Sequence, residues 1–140
     1  MEAICVRNCS VGVERADEML GVLGCGKIGS IVAERGLGLK VRVFAVDPLL
    51  GEKRALELGV EKVELEELFR RADFVTLHTP LTDKTKNILD AAALQKMKKG
   101  VRIVNCPRGG LVDGAALYAA FNRGHGAGDA CRWVCRGAAA

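Results

Sequence analysis

Apolar and polar positions along this chain of 140 residues switch repeatedly between two patterns. Short runs dominated by apolar and β-branched residues recur at "MLGVLG" (19–24), "VRVFAVD" (41–47), "ADFVTLH" (72–78) and "VRIVNC" (101–106). They predict strands, with 72–78 buried on both faces. Between them apolar residues return at helical spacing. "KIGSIVAER" (27–35) reads as a helix, and so does "EKRALELG" (52–59), with Ala55, Leu56 and Leu58 turned to the core. "LEELFRR" (65–71) makes a further helical turn, "DAAALQKMKKG" (90–100) a helix closed by Gly100, and "GAALYAAFNRG" (114–124) a helix stopped by Gly124. Alternation of this kind is the signature of right-handed β-α-β units, so the predicted class is α/β with a parallel sheet. Gly36 and Gly38 fit poorly, because each glycine near a helix end costs roughly 1 kcal/mol against alanine unless it terminates the helix.

Composition narrows the classes of function. At this length the chain builds one core, and 49% hydrophobic with 27% charged residues are the proportions of a globular domain. An aromatic content of 4% argues against a stacking surface for single-stranded nucleic acid. The net charge of +4 is scattered, and its densest cluster, Lys96, Lys98 and Lys99, lies where lysines compensate a helix dipole, so no nucleic-acid partner is expected. No run approaches the roughly 20 apolar residues of a membrane span. The start "MEAICVRNCSVGVER" shows no secretory signal, and the six cysteines are expected to be reduced thiols of a cytoplasmic protein. The pairs Cys5/Cys9 and Cys131/Cys135 share a helical spacing, yet no histidine or C-x-x-C knuckle accompanies them, so no metal site is expected.

One motif carries chemistry. "GCGKIG" (24–29) has the G-x-G-x-x-G spacing, follows a predicted strand and opens a predicted helix, and Asp47 stands 18 residues beyond Gly29 at the end of the second strand. That context marks a dinucleotide site in a Rossmann-type, doubly wound parallel sheet. Gly24 makes the tight turn, Gly26 lets backbone approach a pyrophosphate, and Gly29 lets helix and strand pack closely. Asp47 is placed to accept hydrogen bonds from both ribose hydroxyls and to repel a 2′-phosphate, which favours NAD over NADP. The competing reading is that the glycines only shape the turn and Asp47 only starts the turn at Pro48.

Two later segments, "ADFVTLHTPLTDKTKNIL" (72–89) and "MKKGVRIVNCPRGGLVDGAAL" (97–117), join "GVLGCGKIG" and "VDP" in a combined pattern. Over roughly residues 20–128 the chain resembles the D-isomer-specific 2-hydroxyacid dehydrogenases. The resemblance implies hydride transfer between NAD and a 2-hydroxy acid in a cleft between a nucleotide-binding lobe and a substrate lobe. It implies a small 2-hydroxy or 2-oxo acid as partner, and it allows a homo-oligomer through the nucleotide-binding lobe. Carried over by residue, it puts Lys27 and Ile28 at the pyrophosphate loop, Asp47 on the adenosine ribose, and Thr79 and Pro80 beside the cofactor. Cys106 and Pro107 would lie near the nicotinamide ribose. Arg108 falls on the arginine that holds the substrate carboxylate, a task suited to a planar, permanently charged fork.

The expected organisation is a lead-in segment (1–18), a single nucleotide-binding lobe (19–128) incomplete at its C-terminal end, and a divergent tail (129–140). Two departures stand inside the matched region, Pro107 in place of a small residue and Gly114 in place of an acid. The tail "DACRWVCRGAAA" puts Asp129 and Arg132 where the family has a buried strand ending in an aspartate. Neither His78 nor His125 falls on the family's acid-base histidine. The alternative function is therefore an NAD-binding module or truncated fragment with no chemistry of its own.

Overall fold

The computed structural model describes residues 18–105 and 109–122. Five strands, β1 (Met19–Leu23), β2 (Arg42–Val46), β3 (Glu61–Lys62), β4 (Phe74–Leu77) and β5 (Arg102–Asn105), form one parallel sheet in the order β3-β2-β1-β4-β5. The helices are α1 (Lys27–Gly38), α2 (Glu52–Leu58), α3 (Leu65–Arg71), α4 (Ala91–Lys96) and α5 (Gly114–Asn122). The chain winds outward from β1 through β2 to β3, then returns to the other side of β1 as β4. The predicted Rossmann-type α/β class is the fold found, and the winding reverses between β1 and β4.

Each face of the sheet buries its own apolar layer. Val22, Val43 and Ala45 meet Ala33 of α1 and Ala55 and Leu58 of α2 on one side. Leu23, Phe44, Val75, Leu77 and Ile103 meet Leu68 and Phe69 of α3, Leu94 of α4 and Leu117 of α5 on the other. Burial on both faces explains the continuous apolar runs of the central strands.

Several sequence expectations need correction. α2 buries Ala55 and Leu58, one helical turn apart, whereas Leu56 points away and is 80% exposed. α4 stops at Lys96, not Gly100, because Met97 turns extended (φ −76°, ψ 158°) and inserts its side chain into the core; Gly100, at φ +83°, serves the turn into β5. β3 was not predicted: its two residues are charged and exposed. It is tied to α3 by Arg71, which donates to Glu61 at 2.7 and 2.9 Å and to Glu67 at 2.8 Å while its guanidinium lies 5.0 Å from the Phe44 ring.

The two awkward glycines have different fates. α1 runs through both. A methyl group on Gly36 would come within 3.0 Å of Leu20 Cδ2 and 3.1 Å of Val43 Cγ2, so this glycine lets α1 lie close on β1 and β2. Gly38 faces open space, and nothing in the structure requires glycine there.

Candidate dinucleotide site

The C-terminal ends of β1, β2 and β4 converge at the reversal of winding, where open α/β sheets form their ligand crevice. A cavity of about 520 Å³ opens there, lined by Leu23, Gly24, Gly26, Val46, Asp47, Pro48, Leu49, Leu65, His78, Thr79, Pro80, Lys84, Thr85 and Ile88. Its wall is largely apolar, with few polar groups. A second hollow of about 610 Å³ lies along α2 and β3, but Glu52, Glu61, Glu64 and Glu67 line it, which disfavours an anionic dinucleotide.

The glycine loop bends in the manner its spacing predicts. Gly24 has φ +88°, a conformation side chains rarely adopt, and a Cβ there would lie 2.8 Å from the backbone of His78 and Thr79. β1 and β4 can approach this closely only because the residue is glycine. A Cβ on Gly29 would fall on the carbonyl oxygen of Gly24. Gly26, by contrast, has nothing within 4 Å of the position a Cβ would take, leaving its backbone open to a ligand. Gly26 caps α1 with no side-chain hydrogen bond, and no acidic residue stands in the first turn. The leading N–H groups and the positive end of the helix dipole are therefore available to an anion. Lys27 and Ile28 are exposed in this turn, Ile28 by 66%.

Asp47 directly follows β2, on the cavity wall. Its Oδ2 accepts from Cys25 N–H at 2.7 Å and its Oδ1 from Leu49 N–H at 2.7 Å. The second bond is the turn at Pro48 foreseen from sequence, and it does not exhaust the carboxylate, which accepts about four hydrogen bonds. The Cys25 thiol is pushed up from its ordinary pKa by burial and, next, by the Asp47 charge, with Arg54 opposing.

Thr79 and Pro80 follow β4 and line the same cavity. Sequence reasoning missed their surroundings. Thr85 Oγ1 donates to Pro80 C=O at 2.6 Å and accepts from Thr82 N–H at 2.8 Å, folding "PLTDKT" back so that Lys84, Thr85 and Ile88 close one side. The Thr82/Thr85 spacing was the available signal. His78 Nε2 lies 2.9 Å from Thr76 Oγ1, and burial holds the imidazole below its usual pKa. The structure thus brings Gly24, Gly26, Asp47, Thr79 and Pro80 to one cavity, with Lys27, Ile28 and Gly29 in the adjoining helical turn. Cys106, Pro107 and Arg108 lie outside the described residues, as do Cys5, Cys9, His125, Cys131, Cys135 and the tail. Among the described residues no group of histidine, cysteine and carboxylate side chains is arranged to hold a metal ion. None of the described helices is long and apolar enough to cross a membrane.

A family model described as "D-isomer specific 2-hydroxyacid dehydrogenase, NAD binding domain" matches residues 4–131. The chain belongs to this family. It is 45% identical to D-3-phosphoglycerate dehydrogenase of Bacillus subtilis over 124 residues, which are 89% of this chain and 24% of the relative. With D-3-phosphoglycerate dehydrogenase of Methanocaldococcus jannaschii it is 44% identical over 114 residues, 81% of this chain and 22% of that protein. The chain therefore spans about a quarter of the length of these curated relatives. Among solved structures it resembles apo D-lactate dehydrogenase from Escherichia coli, with a TM-score of 0.79 and 40% identity over 82% of this chain and 37% of the other. It also resembles D-lactate dehydrogenase from Aquifex aeolicus complexed with NAD and lactic acid, with a TM-score of 0.75 and 37% identity over 79% and 33%. The family is one of NAD-binding domains, so the nucleotide predicted from the glycine spacing and Asp47 is the family's cofactor.

Proposed function

We propose that this chain is the nucleotide-binding lobe, residues 19–128, of a cytoplasmic NAD-dependent oxidoreductase that oxidises a D-2-hydroxy acid of the phosphoglycerate type. The observation that carries the reading is the cavity at the reversal of the sheet, bounded by the glycine loop on one side and by Asp47 and Thr79–Pro80 on the other. NAD, when bound, supplies the hydride acceptor. Gly24, Gly26 and Gly29 give the pyrophosphate room and amide donors, and Lys27 and Ile28 flank it. Asp47 binds the adenosine ribose diol, and the apolar wall with Thr79 and Pro80 holds the adenosine half. Cys106 and Pro107 stand near the nicotinamide ribose, and Arg108 grips the substrate carboxylate as a bidentate fork.

Phosphoglycerate as substrate is supported by the names of the curated relatives. A homo-oligomer through this lobe follows the same reading. The second reading, an NAD-binding module without chemistry of its own, is favoured by one observation: His78, the histidine within the described residues, is bonded to Thr76 and not to a carboxylate. Alone, the lobe is expected to bind NAD without turnover on either reading; NADH formation from a panel of D-2-hydroxy acids by a chimera, in which this lobe replaces the matching segment of the Bacillus subtilis relative, separates the two. Turnover with phosphoglycerate ahead of lactate supports the oxidoreductase. NAD binding without turnover of any acid supports the module.

A further inference from the structure

The loop between β1 and α1 is held twice by the end of β2. Gly24 N–H donates to Val46 C=O at 2.9 Å, which extends the strand ladder by one step. Cys25 N–H lies beyond the ladder and takes a side-chain acceptor instead, Asp47 Oδ2 at 2.7 Å. The other oxygen, Oδ1, holds Leu49 N–H at 2.7 Å and so fixes the direction in which the carboxylate points. Leu49 itself is 95% exposed, while Leu50 packs in the core and donates its N–H to Asp47 C=O at 3.2 Å, so the turn that carries the carboxylate is anchored on its far side.

A loop with glycine at 24 and 26 has unusual backbone freedom, and Gly26 receives no side-chain cap. Anion binding at a helix start needs the amides aimed beforehand, because ordering them at the moment of binding costs affinity. A bond from an N–H to a carboxylate is charge-assisted, and it is the kind of anchor that can hold such a loop. With two acceptor positions used by backbone, about two remain for a ribose diol.

We propose that Asp47 is a positioning residue for the phosphate-binding loop, holding it through Cys25 N–H before any nucleotide arrives, in addition to its contact with the ribose. The proposal rests on the cofactor reading of the cavity. It makes the ribose and phosphate subsites energetically coupled through one side chain. Replacing Asp47 therefore weakens even those nucleotides that have no hydroxyls for it to bind.

The test compares ADP with 2′,3′-dideoxy-ADP by calorimetry on the wild-type chain, Asp47→Ala and Asp47→Asn. The asparagine variant keeps the shape, but its single amide oxygen can serve only one of the two N–H groups, and its NH₂ then faces the other. Both variants are expected to bind dideoxy-ADP about tenfold more weakly than wild type does, the low end of what a hydrogen bond to a charged group is worth. In the ligand-free chain, exchange of the Cys25 amide hydrogen should accelerate in both variants while that of Val75 and Leu77 stays slow. Equal affinity of all three proteins for dideoxy-ADP, with wild type binding ADP more tightly, would mean that Asp47 serves the ribose alone and overturns the proposal. Unchanged Cys25 exchange overturns it as well. Failure of wild type to bind either nucleotide instead overturns the cofactor reading itself.

Discussion

Gly29→Ala should damage both the fold and the site, whereas Gly38→Ala in the same helix should stabilise the protein. A methyl group on Gly29 would fall on the carbonyl oxygen of Gly24 and 3.0 Å from its carbonyl carbon. Both obstacles are backbone, so the turn itself must retreat, by on the order of 1 Å to regain normal contact distances. Overpacking of this kind costs roughly 1–3 kcal/mol, with a backbone clash at the upper end. The better helix propensity of alanine offsets about 1 kcal/mol of that. The net loss is about 2 kcal/mol, which lowers Tm by about 8 °C for a domain of this size. Nucleotide affinity should fall with it, because the displaced turn carries the amides of the glycine loop. Gly38 sits in the same helix with nothing within 4 Å, so alanine there meets only the propensity term, a gain of up to about 1 kcal/mol. Thermal unfolding of the two variants beside wild type is the assay, with NAD titration as the second reading. A Gly29→Ala protein melting within about 2 °C of wild type would refute the close packing of loop and helix on which the site is built.

Leu68→Ala removes a fully buried side chain lying against Gly21 and should cost about 2–5 kcal/mol in urea unfolding. Arg71→Ala loses only exposed or half-exposed pairs with Glu61 and Glu67 and the Phe44 contact, so a loss of about 1 kcal/mol or less is expected. Burial depresses the His78 pKa below 6.5, so the unfolded chain binds the proton more readily. The stability this shift contributes is present above pH 6.5 and is lost as pH falls through the folded value; urea midpoints measured across that window should fall less in His78→Gln than in wild type. Arg108→Lys should leave Tm and NAD affinity nearly unchanged while weakening binding of a 2-oxo acid to the NADH-loaded protein; a variant that unfolds readily would make Arg108 structural.

The long, one-signal elements were legible in the sequence. β1, β2 and β4 are runs of mainly apolar, largely buried residues, β5 keeps Ile103 and Val104 at its centre, and α1 and α5 follow glycine or acidic start signals, so period and composition agree. β3 was illegible because two exposed charged residues carry no strand pattern, and only pairing to Phe44 and Ala45 makes them a strand. Leu56 was misplaced because adjacent helical residues stand about 100° apart, and a seven-residue helix with one buried stripe cannot turn both Ala55 and Leu56 inward. Met97 ended α4 early for a tertiary reason, its burial in the core, which outweighed the helix-forming lysines after it. In the site, the loop was legible because Gly24 and Gly29 each answer a local steric demand, while Gly26 meets no neighbour and leaves its backbone open. The closing side formed by Lys84, Thr85 and Ile88 depends on the threonine-bonded fold of the loop after β4, which apolar periodicity does not register.

On the proposed function, this cavity binds the adenosine half of NAD with Asp47 on the ribose. The most direct test is calorimetric titration of the chain with NAD and NADP at the same ionic strength, using wild type and Asp47→Ala. Wild type is expected to prefer NAD by about tenfold or more, since a 2′-phosphate meets a carboxylate whose remaining acceptor positions suit hydroxyl donors. Asp47→Ala is expected to lose NAD affinity. Equal binding of the two cofactors by wild type, or NAD affinity unaltered in Asp47→Ala, would contradict this reading.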